Sequence, residues 1–249
     1  MTPRLHVEGV TLASGASVAL SQSAAHLAVR VLRLRDGDAV TLFDGAGGEW
    51  RASIVANGRG GAQARVLAHD PVERESPLAV TLVLATLATD AMDYAVRKAV
   101  ELGVAAIVPV VASRSQGGAA REKRVDHWRR IAVAACEQCG RNRVPPIDTP
   151  RPLAAWLTAR DARRTGIVFA PGGDAALARV DIAGGIEILI GPEGGFDATE
   201  LAAAKLAGLR AVALGPRVLK AETACVAALA ALQALRGDLQ GPGRAPELA

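Results

Sequence analysis

Apolar and polar positions change places in short blocks as far as Asp70 and in longer, better separated blocks after it. Leu5-His6-Val7, Ser17–Leu20, Val40–Phe43, Trp50–Ala56 and Ala62–Leu67 each read as a short strand. Asp44-Gly45-Ala46-Gly47-Gly48 supplies a hairpin-type turn, Asn57–Gly61 supplies another glycine-rich turn, and Gln22–Arg30 reads as a short helix. Short strands with closely spaced turns predict a small β-barrel over residues 1–69. Residues 70–77 carry two prolines and four charged side chains and read as a linker.

From there the period lengthens. Val80–Leu87, Ala105–Val111, Ile167–Ala170, Ile186–Ile190 and Val212–Leu214 read as strands. Ala91–Leu102, Val125–Cys139, Leu153–Arg160, Thr199–Ala207 and Ala221–Leu235 read as helices, with Gly103 and Gly140 placed to cap the first two. This alternation predicts an α/β domain over residues 78–240 around a mostly parallel sheet covered on both faces. The Gly- and Pro-rich residues 241–249 predict a flexible tail.

The candidate chemistry lies where strands empty into glycines. Ile190-Gly191-Pro192-Glu193-Gly194-Gly195-Phe196 follows an apolar run and precedes a helix. Gly215-Pro216-Arg217-Val218-Leu219-Lys220 repeats the arrangement after Val212–Leu214. Glycine lets backbone approach a ligand closely, and tandem loops of this kind predict a cofactor crevice at the carboxyl edge of a parallel sheet. Gly45-Ala46-Gly47-Gly48 fits neither a phosphate-binding loop nor a dinucleotide fingerprint, because no helix pattern follows it. Cys136 and Cys139 form a lone C-x-x-C inside a helical run, and the histidines lack ligand-like spacing, so no metal site is expected.

These loops also carry a resemblance. "IGPEGGF…E" and "LGPRVLKAETA" resemble the knotted SPOUT superfamily of S-adenosylmethionine-dependent RNA methyltransferases. Within it the chain is similar to the family that methylates N(3) of a uridine in 16S ribosomal RNA. "HLAVRVLRLRDGD" (His26–Asp38), "AVRKAVELGV" (Ala95–Val104) and "EQCGRNRVPPI" (Glu137–Ile147) fit the same family in the same order, so the match spans nearly the whole chain. The resemblance implies a C-terminal SPOUT parallel-sheet domain tied in a trefoil knot, which periodicity does not show. It also implies a PUA-like, RNA-binding character for the N-terminal β-barrel domain, and a homodimer with the site near its interface. Its implied cofactor is S-adenosyl-L-methionine without a metal, and its implied partner is 16S rRNA, within the small ribosomal subunit.

Carried over by motif, the implied cofactor loops are the one after Ile167–Phe169, with Ala170; Ile190, Gly191, Pro192, Glu193, Gly194 and Gly195; and Leu214, Gly215, Val218, Leu219, Thr223 and Ala224. Val218 and Leu219 are placed to sandwich an adenine. Uracil N(3) carries a proton at neutral pH, so transfer needs a cation for the charge that builds on the base and a group to accept the proton. Arg141 is the preferred stabiliser, with Arg114 and Glu222 as further catalytic candidates; Glu222 is equally suited to the first turn of the final helix. Glu193 reads either as an anchor of its loop or as a base. Around Arg114-Ser115 the chain departs from the family, and Gln116–Ala119 reads as a more flexible loop. RNA-binding candidates are Arg4, His26, Arg30, Arg33, Arg35, Arg143, Arg217 and Lys220, with Arg33 and Arg35 on one side of an extended run. A second basic cluster, Arg121, Lys123, Arg124, Arg129 and Arg130, reads as a solvated helix face or as phosphate contacts.

Composition narrows the classes. The chain has 249 residues, half of them hydrophobic, with only 3% aromatics, so its core is built from Ala, Val and Leu. A net charge of +4 suits a polyanionic partner. No apolar run reaches membrane-spanning length, no signal-peptide core opens the chain, and three cysteines do not form a disulfide framework, so a soluble, cytoplasmic protein is expected. Two other readings share part of these signals. A knotted ribose 2′-O-methyltransferase has the glycine loops, but the barrel-like domain and Glu137–Ile147 speak against it. A non-catalytic RNA-binding assembly factor is opposed by the intact loops and Arg141.

Overall fold

The computed structural model describes residues 2–57, 61–116, 122–182 and 185–240. The middle of the expected Asn57–Gly61 turn, part of the expected Gln116–Ala119 loop, Arg121 and the expected tail lie outside the described residues. The described residues divide into two compact units, one comprising those up to Glu75 with Val133–Val144, the other Ser76–Ala132 with residues 145–240.

The first unit holds β1 (Arg4–His6), β2 (Ser17–Ala19), α1 (Gln22–Ala25), β3 (Ala39–Phe43), β4 (Glu49–Asn57) and β5 (Gly61–Asp70). The strands form one sheet in the order β1-β3-β4-β5-β2. No pairing among the described residues joins β1 to β2, so the expected barrel is here a five-stranded sheet with two edges. Alternate residues, among them Val40, Leu42, Ala52, Ile54, Ala64 and Val66, point to one core face, as the period of two requires. The expected single helix over Gln22–Arg30 is instead a four-residue α-helix followed by a π-helical turn, His26–Val31. Arg33 has φ 56°, so the run holding Arg33 and Arg35 is not extended, and strand alternation does not relate their side chains.

The second unit is built on β6 (Val80–Ala85), β7 (Ala106–Val111), β8 (Arg151–Pro152), β9 (Thr165–Phe169), β10 (Ile186–Ile190) and β11 (Arg210–Val212). They pair in parallel in the order β11-β9-β10-β6-β7-β8. Every residue of β6 and β10 is buried, which is why these strands read as unbroken apolar runs. α2 (Thr89–Glu101), α4 (Leu153–Ala159), α5 (Ala198–Leu206) and α6 (Ala221–Arg236) surround the sheet, and α3 (Glu122–Cys139) gives its first part to this unit and its last turns to the first. Trp156 and Leu157 of α4 and Ala204 of α5 pack with Val83, Val110, Val168 and Leu189 of the strands. Gly103 closes α2 with φ 73°; the Gly103 N–H donates to Val100 and the Val104 N–H to Ala99, the Schellman pattern that only a left-handed residue completes without strain. The short strand β8 carries no periodicity of its own and was not legible from the pattern.

Candidate active site

The chain steps from β9 to β10 on one side and returns past β9 to β11 on the other. Loops leaving three neighbouring carboxyl ends therefore converge, the position where open parallel sheets bind ligands. They enclose a cavity of about 440 Å³, within the range of small-molecule sites. Its walls are Phe169–Gly172 after β9, Ile190–Phe196 after β10, and Ala213–Leu219 after β11, closed by Leu201 of α5 and by Ala221 and Ala224 of α6. Strand β11 ends two residues earlier than the pattern predicted, at Val212, which frees Ala213 and Leu214 to line this space.

The central loop is held from outside. The Glu193 carboxylate accepts the Ala88 N–H at 2.9 Å, at the N-terminus of α2, so Glu193 serves as an anchor of its loop. Arg114 donates from Nη1 to the Gly194 carbonyl at 2.8 Å, and a β-carbon on Gly194 would meet the Arg114 side chain at 3.2 Å. The Ser113 N–H and hydroxyl donate to Glu200 and Asp197, which form the capping box that starts α5. The Glu200 N–H and the Ser113 hydroxyl hold the Asp197 carboxyl below the usual carboxylate range. A β-carbon on Gly191 would meet the Phe196 ring at 3.2 Å, a tight contact that the ring would have to relieve. Gly195 has φ 68° and open space around it, so it is needed for conformation and not for clearance. Gly173 is needed for clearance: a β-carbon would come within 2.4 Å of the Val212 carbonyl carbon.

Of the residues expected to bind cofactor, Ala170, Ile190 to Gly195, Leu214, Gly215, Val218, Leu219 and Ala224 line the cavity, and Thr223 does not. Arg217, expected as an RNA contact, lines it too, beside a Val218 that is 82% exposed. Lys220 is the N-cap of α6, and Glu222 lies half-buried in its first turn. The walls Phe169, Phe196 and Leu201 were missed; Phe196 was in plain sight as the last letter of the glycine motif.

Arg141 lies in the first unit, whereas every wall of the cavity belongs to the second. It is 4% exposed, and its Nε and Nη2 donate to the Glu75 carboxylate. The half-buried Arg4 lies beside it: Nη1 meets Glu49, while Nη2 donates to the Arg141 carbonyl and to Asn142 Oδ1. Arg74 bridges Glu49 and the Gly140 carbonyl, and fully buried Asn142 donates to the Val72 carbonyl at 2.7 Å. Burial opposes ionisation of Glu49, but hydrogen bonds from Arg74 and Arg4 outweigh it and hold its carboxyl below the usual range. Burial pushes the Glu137 carboxyl up, although it accepts the His6 N–H. The Cys136 thiol is pushed up to about 12 by burial, which leaves it inert. Arg143 pairs with Glu73 at the surface, and His26, Arg30, Arg33 and Arg35 are exposed. No helix among the described residues is long and apolar enough to cross a membrane.

A parallel sheet whose glycine loops wall a ligand-sized cavity, joined in one chain to a small β-sheet unit, defines an α/β protein with an appended module. Residues 74–233 match the family described as "RNA methyltransferase domain", and residues 20–67 match "RNA methyltransferase PUA domain". The chain is 30% identical over 242 residues to ribosomal RNA small subunit methyltransferase E of Buchnera aphidicola, covering 95% of this chain and 98% of that one. It is 35% identical over 217 residues to the protein of that name from Mycobacterium bovis, covering 84% and 82%. Among solved structures it resembles ribosomal RNA small subunit methyltransferase E from Neisseria gonorrhoeae bound to S-adenosyl methionine, with TM-score 0.90, 36% identity and coverage of 96% and 99%. It also resembles a putative methyltransferase from Legionella pneumophila in complex with the same cofactor, with TM-score 0.92, 33% identity and the same coverage. The chain belongs to this family of PUA-containing RNA methyltransferases.

Proposed function

We propose that the chain transfers a methyl group from S-adenosylmethionine to N(3) of a specific uridine in 16S rRNA, acting as a homodimer on the small ribosomal subunit. The observation that carries the reading is the cavity at the carboxyl ends of β9, β10 and β11. Its walls include most of the loop residues that the resemblance implies for the cofactor, and two relatives matched over nearly their whole length are solved bound to S-adenosylmethionine. The walls suit it chemically. Backbone of Gly191–Gly195 and Leu214–Leu219 can bracket an adenine between apolar side chains, and Arg217 can meet a carboxylate. The bound cofactor supplies a methyl group on a sulfonium, which needs no metal.

The protein's own work is to hold the uracil and manage its N(3) proton. Charge builds on the uracil oxygens as that proton leaves, and a guanidinium at the loop lowers its energy. Arg114, already fixed on the Gly194 carbonyl, is the arginine we assign to this role, and Glu222 is the carboxylate we assign to take the proton. Arg141 is assigned instead to holding the turn after α3. Mass spectrometry of 16S rRNA nucleosides from strains with and without the gene tests the reading. Loss of N(3)-methyluridine supports it; loss of a ribose methylation, or no change, rejects it.

A further inference from the structure

The π-helical turn His26–Val31 ends in a conformation that α2, α3 and α5 give to glycine. Those helices are followed by Gly103, Gly140 and Gly208, with φ of 73°, 89° and 86°. Here the left-handed residue is Arg33, with φ 56°. The Leu32 N–H donates to Leu27 and the Leu34 N–H to Ala28, each at 2.9 Å, so the turn is closed by a cap one residue wider than the usual one. A β-carbon disfavours this conformation, and glycine would form the same cap without strain. Strain retained where the cap itself does not need the side chain points to use of that side chain.

The surroundings show what the use is. Ala28 is fully buried, and Leu27, Val29 and Leu34 pack against the sheet core, which anchors the turn. The two apolar residues between them face the other way: Val31 is 58% and Leu32 42% exposed. Arg30 and Arg33 flank this apolar tip, both exposed and neither with a partner among the described residues. His26 is exposed at the start of the turn and Arg35 just beyond its end.

We propose that Arg30, Val31, Leu32 and Arg33 form a docking knuckle for an unpaired stretch of the RNA substrate. The proposal rests on the RNA-methyltransferase reading above. The guanidinium groups meet phosphates on either side, and Val31 and Leu32 lie against the face of a base. A duplex would not satisfy the apolar tip, because stacked bases hide their faces; unpaired nucleotides expose them. In a chain with so few aromatics, aliphatic side chains take the place of the usual stacking platform.

The test compares Arg33→Gly, Arg33→Ala and Leu32→Ser with the wild-type chain. The readouts are melting, S-adenosylmethionine binding by calorimetry, and affinity for 16S rRNA taken from a strain lacking the gene. Arg33→Gly is expected to melt a few degrees higher, bind cofactor normally, and bind the RNA about tenfold more weakly. Its salt dependence should be shallower by roughly 0.7, the value for one lost contact to a single strand. Leu32→Ser is expected to weaken RNA binding with the salt dependence unchanged. If Arg33→Gly is more stable and binds RNA as tightly as wild type, the arginine is an incidental cap and the proposal falls. If the variants bind naked rRNA normally but methylate assembled subunits poorly, the occupant is a protein and the proposal also falls. A wild-type chain that neither binds nor methylates 16S rRNA would instead sink the functional reading itself.

Discussion

Replacing Arg141 with alanine separates two roles that the motif alone leaves equal. The Arg141 side chain is 5% exposed and donates to Glu75 through Nε and Nη2, while the Glu75 side chain is 23% exposed. Removing one partner of a buried pair typically destabilises by about 3–5 kcal/mol, because the other charge is left without compensation. Partial access of Glu75 to water places the loss near the lower end, about 3 kcal/mol. At roughly 2–4 °C per kcal/mol for a chain of this length, the melting midpoint falls by about 6–12 °C. Glu75→Gln should fall in the same direction. The decisive variant is Arg141→Met with Glu75→Leu, since apolar residues of similar volume can replace a buried pair at little loss. If Arg141 holds the turn after α3, this double variant recovers most of the midpoint and methylates 16S rRNA within a few-fold of wild type in single-turnover assays. If Arg141 stabilises charge on the uracil, the double variant melts normally but turns over about a hundred- to a thousandfold more slowly. That second outcome would refute the structural assignment.

Gly195, which lines the cavity, should tolerate substitution better than Gly173, which does not line it. Gly173→Ala forces a shift against Val212 and should weaken cofactor binding and stability more than Gly195→Ala, which adds only the strain of φ 68°, about 1–2 kcal/mol; calorimetry and melting giving the reverse rank would overturn this account of the loops. Glu193→Gln keeps the shape of the anchor but loses the charge that accepts the Ala88 N–H, so S-adenosylmethionine should bind several-fold more weakly with the turnover number nearly unchanged. A matching loss of turnover at saturating cofactor would make Glu193 part of the chemistry. Glu49 titrates below the ordinary glutamate range when folded, so its pairing with Arg4 and Arg74 contributes stability above that range and loses it as pH falls through the folded value. His6 is held below 6.5 by burial, so its contribution is likewise full above that pH and fades in acid, whereas raised Glu137 works in the opposite sense. Acid melting curves of Glu49→Gln should therefore be flatter than those of wild type, and an unchanged slope would remove Glu49 from the explanation.

What was legible in the sequence is what is local. Ile190–Phe196 is one strand end and one turn, so its glycines show their purpose in the string of letters. Gly103 announced the end of α2 for the same reason, whereas the capping box of Asp197 and Glu200 appears only in the fold. The role of Arg141 was not local: Glu75 is 66 residues away, and Arg4, which donates to its carbonyl, 137. A sequence reading meets such an arginine alone, beside a helix end and near another arginine, and the simplest use for an unpartnered charge is catalysis. The fold supplies the partner and with it a different use. Arg33 shows the converse. Read as part of an extended run, it was one of several candidate RNA contacts; only the backbone, turned left-handed where α2, α3 and α5 are followed by glycine, shows that its side chain is held at a cost. A charge that the fold neutralises is thereby moved out of the site, and a charge that the fold strains to present is moved toward one. By that criterion the arginines separate into Arg4, Arg74 and Arg141, which bind the first unit to itself, and Arg30, Arg33, Arg114 and Arg217, which remain where a substrate can reach them.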